Sequence, residues 1–300
     1  MSLFVLLFCG VMALAGCKPE PAGAPVAASG PEAAVRQLTK HLHDNDLEGF
    51  ARNSIPASEY VQLEIAWREG RSRWPLTELP LDEQLEPFLG TLSAPGSERS
   101  LQQGFNRNFA NQDKDLRDAA RSLGSFGVQY VRREGVYTTE ERAHYAQVIT
   151  ALSEWGAQAP LGDPKRGAVA IPKLAAAARR TGLTSEQALR EAGMSESLRR
   201  LGPFFAQAKA TLASYGLPPD RSLSELRTEL IEQKGDLARV RIHYPLGKRE
   251  IDTVVSLQRR DGHWYLVDHL HHAEQALAVP PGESPEATDP PLGITPAKPE

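Results

Sequence analysis

From Glu32 to Tyr215 apolar side chains recur every three or four residues, and from Leu237 onward they recur every second one. The first spacing gathers apolar groups on one face of an α-helix, the second on one face of a β-strand. Val35, Leu38 and Leu42 predict a helix over 32–45, and Leu47 with Phe50 opens a short second one. Tyr60, Leu63, Trp67 and Trp74 align over 59–74, and two further helical patterns fall near 98–110 and 111–127. Thr138-x-x-Glu141 has the form of a capping box, in which each end satisfies a free backbone N–H of the first turn. Behind it Tyr145, Val148, Ile149, Leu152 and Trp155 form a stripe that reads as core. An Ala-rich helix is expected over 172–180 with Gly182 as its stop, another from the Thr184-x-x-Gln187 cap to Ala192, and a last one over 201–215.

The period then changes. Ala238, Val240, Ile242 and Tyr244 share one face of a strand over 237–244, with Arg239, Arg241 and His243 on the other. The segment 250–259 alternates in the same way, Asp261-Gly262 is a two-residue hairpin turn, and 263–269 returns as a strand. The run 226–234 opens this meander, although its glutamates also allow a helix. The fold class expected is therefore α+β, a mostly helical first two-thirds followed by an antiparallel meander.

The helix near residue 35 with Asn45-Asp46-Leu47-Glu48-Gly49-Phe50 after it, and the ending Asp236-Leu237-Ala238-Arg239-Val240 through Asp261-Gly262-His263-Trp264-Tyr265-Leu266-Val267-Asp268, resemble the nuclear transport factor two-like superfamily. That resemblance implies a cone-like α+β fold, with a helical insertion of about 59–216 between the matching parts. It also implies a pocket that a small ligand or an enzymatic reaction could use.

Ahead of the helices, the apolar run from Leu3 to Leu14 is too short to span a bilayer, which takes about 20 residues. It suits the apolar region of a secretory signal, although Met1-Ser2-Leu3 lacks the usual positive charge. Leu14-Ala15-Gly16-Cys17 resembles a bacterial lipobox. The resemblance implies cleavage after Gly16 and a diacylglyceryl group on the Cys17 sulfur. Residues 1–16 are then a signal peptide, 17–31 a lipidated Pro- and Ala-rich tether, 32–278 a single folded domain and 279–300 a disordered Pro-rich tail. Lys18 is not the aspartate of the enteric inner-membrane retention signal, so an outer-membrane anchor facing the periplasm is implied. The partners expected are the membrane, through lipid on Cys17, and a protein of the envelope.

Charge and cysteine content sharpen this picture. The formal net charge is −4, which gives no basic footprint for nucleic acid and no polybasic hold on anionic lipid. The two cysteines are Cys9 and Cys17, so the body has no disulfide and no thiol nucleophile. No cofactor is expected: Gly124-Ser125-Phe126-Gly127 has neither a strand before it nor a Lys-Ser/Thr after it, as a phosphate loop requires. Asp268-His269-Leu270-His271-His272 carries metal-ligand residue types but lacks a second ligand group, so no metal is expected. Arg239, Arg241, His243 and Asp252 are the candidate ligand-binding set. If their sheet face lines a cavity, the arginines can hold an anion by paired hydrogen bonds. Facing water, they are a solvated stripe. A non-catalytic binding or accessory module is the function expected; the alternative is a small-ligand binder or enzyme working in a cone-shaped pocket.

Overall fold

The computed structural model describes residues 28, 30–78, 82–134 and 138–278. The lipobox, nearly all of the tether and the Pro-rich tail lie outside the described residues. The protein is α+β, with the antiparallel sheet following the helical region.

The sheet is a simple meander of four strands in chain order, β1 (Arg227–Lys234), β2 (Leu237–Leu246), β3 (Arg249–Arg260) and β4 (His263–Leu266). Asp261 and Gly262 join the last two with φ of 51° and 80°, the left-handed pair that matches strand twist in a tight hairpin. The helix α1 (Pro31–His43) lies across one face, where Ala34 and Val35 pack on Ala238, Val240, Ile242, Leu257 and Trp264. The alternation in β2 thus holds from Leu237 to Ile242, where Ala238, Val240 and Ile242 are buried and Arg239 and Arg241 are exposed, while His243 to Leu246 are all half-buried.

The last strand is shorter than its alternation predicts. Val267 begins a helix, α12 (Val267–Ala278), rather than continuing to 269. Leu270 and Ala273 are buried at helical spacing. An apolar Val267 two residues after Tyr265 suits either period, and the burial of Leu270 and Ala273 decides for the helix.

A second, larger core is purely helical. It is built from α2 (Leu47–Ser54), α3 (Ala57–Arg68), α4 (Asp82–Ser93), α5 (Ser97–Asn108), α8 (Pro164–Thr181), α9 (Glu186–Ala192) and α10 (Met194–Ser214), around Trp67, Leu63, Ile55, Leu198 and Met194. Several boundaries move from the sequence expectation for local reasons. The helix α3 stops at Arg68 and leaves Trp74 in the following turn, still buried. Asp163 accepts from two backbone N–H groups and Pro164 takes the first helical position, a stronger start than Pro172, so α8 begins a full two turns earlier than expected. The cap of α9 is the Ser185 hydroxyl, which accepts from Ala188 N, not Thr184.

The remaining long helices, α6 (Asp113–Arg133) and α7 (Thr139–Gly156), form an antiparallel hairpin. The capping box at Thr138 and Glu141 is present in both its hydrogen bonds. Small residues let the two axes approach closely: a Cβ on Gly124 would sit 2.2 Å from Ser153 Oγ. These glycines thus serve helix contact. Arg142 donates to Val131 O and Glu134 O at 2.6 and 2.8 Å, closing the end of α6. The apolar stripe of α7 is only partly covered: Val148, Ile149 and Trp155 are half-buried. Tyr145 and Leu152 are 37% and 38% exposed, and Ala146, Ala151 and Gly156 are the residues α7 buries.

The helix α7 also runs along β3. Because β4 pairs only with 257–260, the outer edge of β3 before that point has no strand beside it among the described residues. Gln147 fills the gap: its side-chain amide donates to Asp252 O at 2.8 Å and accepts from Asp252 N at 3.1 Å. One side chain thus satisfies both backbone groups that an added strand would use.

Candidate functional site

The predicted set on the polar face of β2 and β3 is brought together by register. His243 lies directly opposite Asp252, and Arg241 sits two pairs further along, opposite Val254. Arg241 Nε donates to Asp252 Oδ1 at 3.0 Å, and His243 Nδ1 lies 3.7 Å from the same oxygen. Arg239 turns instead to Glu140 at the start of α7, at 3.4 Å. Each arginine therefore already faces a carboxylate. The pairs are solvent-exposed, where such contacts contribute about 0–1 kcal/mol. A paired, open face leaves no unbalanced positive charge to draw an anion.

Two further hydrogen-bonded groups were missed by sequence reasoning. The first joins α1 to α2. Asp46 ends the intervening loop as the N-cap of α2, its Oδ1 accepting from Gly49 N at 2.8 Å. Its Oδ2 lies 2.8 Å from His41 Nδ1, and the Asn53 amide donates to His41 Nε2 at 3.1 Å. An acceptor at Nε2 places the imidazole proton on Nδ1, facing the carboxylate. Gln37 extends the chain by donating to Asn53 Oδ1 at 3.1 Å. Gly49 is required beneath it, since a Cβ there would lie 2.0 Å from Asp46 Oδ2. Gln37 and Asn53 then line a cavity with Ala34, His263, Trp264 and Tyr265, of about 10 Å³. Such a space holds about one water and no substrate. The Asp-Asn-Gln-His residue types were visible in the sequence, but nothing local brings 37, 41, 46 and 53 together.

The second group couples α7 to the β2–β3 hairpin. His144 Nε2 lies 2.8 Å from the Tyr244 hydroxyl. Burial pushes the Tyr244 phenol up to about 12 and pulls the His144 imidazole below its ordinary value. The signal in sequence was the helical spacing of His144, Gln147, Ala151 and Trp155, the face that α7 turns to the sheet. A depressed imidazole means that the unfolded chain binds the proton more tightly than the folded one. Its contribution to stability is complete above the unfolded value near pH 6.5, and is lost as pH falls below it. Urea unfolding between about pH 7.5 and 5.5 should therefore show stability declining, and His144→Gln should flatten the decline. An unchanged slope in that variant would rule His144 out as its source.

The histidines of the 268–272 run lie on α12, which scatters them around the helix. His269 stacks edge-on against Phe50 with ring centroids 5.5 Å apart, and His271 meets Gln275 at 2.8 Å. Among the described residues no three His, Cys, Asp or Glu side chains converge as a metal site. Arg260 clamps Glu59 of α3 and Glu274 of α12 at 3.2 and 3.0 Å, and burial raises the Glu59 carboxyl. Among the described residues no helix is long and apolar enough to cross a membrane.

Compared with protein-family models, curated proteins and solved structures, the chain matches none.

Proposed function

We propose that this chain is a lipid-anchored lipoprotein of the bacterial envelope, held by Cys17 on the outer membrane and facing the periplasm, with a body that acts as a non-catalytic binding or accessory module. The observation that carries the reading is Leu14-Ala15-Gly16-Cys17 at the end of an apolar run. Anchoring by lipid needs more than one acyl chain to be firm, and the group expected on a lipobox cysteine supplies several. The thiol-free sequence beyond Cys17 suits an oxidising compartment. The accessory role is supported by a sheet face whose arginines are already paired and by a cavity beside Asn53 and Tyr265 that is only water-sized. Fold alone decides nothing about function, so the weight rests on these residues.

The test is metabolic labelling of the full chain in bacteria with tagged palmitate, followed by detergent-phase partition. The intact protein should carry label and enter the detergent phase. Cys17→Ala should lose both while its circular dichroism and melting temperature stay unchanged. A Cys17→Ala protein that still carries label, or an intact one that carries none, would overturn the anchor.

A further inference from the structure

The α6–α7 hairpin has one apolar flank that stays exposed among the described residues. In α6 the arc formed by Ala120, Gly124, Gly127 and Val131 is used against α7, as the close approach to Ser153 and Ile149 shows. The adjoining arc carries Leu123 and Phe126, which are 53% and 52% exposed, and the half-buried Tyr130. The packing register sets Gly124 against Ser153 and Gly127 against Ile149. This brings Leu123 level with Leu152, and Tyr130 level with Tyr145, on the same flank of the hairpin. A two-helix hairpin of this kind has half the core of a four-helix bundle.

We propose that this flank is the self-association surface of the protein, on which a second copy packs its own α6–α7 hairpin about a two-fold axis near Gly124. Charge favours that occupant. Asp115 and Arg133 lie equally far on either side of Gly124 and are a whole number of helical turns apart, so both border the apolar arc on one side. Neither has an ion-pair partner among the described residues, whereas Asp118 is held by Lys114 and Arg121. An antiparallel copy sets Asp115 of each chain against Arg133 of the other, so the surface is complementary to itself. The polar border, Asp115, Ser122, Gln129 and Arg133, lacks the basic row that would select a lipid headgroup surface.

Size favours it as well. At 1.5 Å per residue the two helices are about 32 and 27 Å long, and side by side about 20 Å wide. The projected footprint is then roughly 540 Å², and corrugated side chains bring the accessible area toward the ~800 Å² per partner of a standard interface.

Sedimentation equilibrium of the full chain in density-matched detergent tests the proposal. The wild type should be a dimer in reversible equilibrium with monomer. Leu123→Glu with Phe126→Glu should weaken dimerisation by at least about tenfold, as removal of central apolar anchors does. Both positions are exposed, so circular dichroism and melting of the monomer should not change. Asp115→Arg alone and Arg133→Asp alone should each weaken the dimer, and the two together should restore it, because the pair re-forms in reverse. A wild type that stays monomeric at every concentration overturns the proposal, whether or not it binds phosphatidylglycerol vesicles. So does a dimer that ignores Leu123 and Phe126, or a double charge reversal that fails to rescue.

Discussion

Trp67→Ala should lower the stability of the folded body by about 3–5 kcal/mol, the usual cost of truncating a buried aromatic. For a domain of this size that corresponds to a fall in melting temperature of roughly 10 °C. The expectation follows from where the indole sits. It is fully buried at the centre of the helical core, on the last turn of α3. Its Nε1 donates to Leu189 O at 2.8 Å, near the end of α9. The seven residues of α9 are too few to persist as a helix without tertiary support. The same junction is held from outside by Arg68, which donates to Glu191 O and Ala192 O, and by Arg73, whose guanidinium lies 5.3 Å from the indole ring. Removing the indole therefore opens a cavity and also strips a hydrogen bond from a buried carbonyl. Trp67→Phe separates the two effects: it keeps most of the volume and should cost only about 1–2 kcal/mol for the lost donor and the smaller ring. Thermal unfolding followed by circular dichroism should rank wild type above Trp67→Phe and Trp67→Ala lowest. A Trp67→Ala protein that melts within a degree or two of wild type would mean that α3 and α9 are not held by this contact.

What could be read from the chain was local. The Thr138–Glu141 capping box and the Asp261-Gly262 turn each depend on residues within a few positions of one another, and both are present as the sequence predicts. Alternation correctly put Arg239, Arg241 and His243 on one face of β2. The same alternation could not show that Asp252 and Glu140 neutralise the arginines, because that depends on pairing register and on where α7 lies. The stripe on α7 is only partly buried for a related reason. Periodicity identifies an apolar arc but not how far other elements cover it, and here Tyr145 and Leu152 stay 37% and 38% exposed. His41, Asn53 and Gln37 look unremarkable one at a time, since only the turn at Asn45-Asp46 folds α2 back against α1. Lys209 was invisible for the opposite reason: a lysine on a helix is ordinarily read as solvated.

That lysine gives the second large effect. Lys209, on α10, is only 3% exposed. Its Nζ donates to Leu42 O and His43 O at 3.0 and 2.8 Å, and meets Asp220 of α11 (Pro219–Ser224). The two carbonyls belong to the C-terminal turn of α1, where backbone acceptors have no helical donor and the helix dipole favours a cation. One ammonium thus joins α1 to α10 and α11, and α1 in turn carries the inner face of the sheet. Lys209→Met keeps the length and the apolar stem but takes a charged donor from two backbone carbonyls and a carboxylate, leaving Leu42 O with the N–H of Asn45 at 3.3 Å. Hydrogen bonds to a charged group contribute about 1.5–3 kcal/mol each, and a loss of about 3 kcal/mol is expected in urea unfolding, with little change in the slope of the transition. Asp220 is the control. Its side chain is 55% exposed, so Asp220→Asn gives up an ion pair that water can replace and should cost less than about 1 kcal/mol. The asymmetry identifies Lys209 as the cap of α1 rather than half of a salt bridge. Equal losses from the two substitutions, or a Lys209→Met protein as stable as wild type, would show that α1 is held to the body by its apolar face alone.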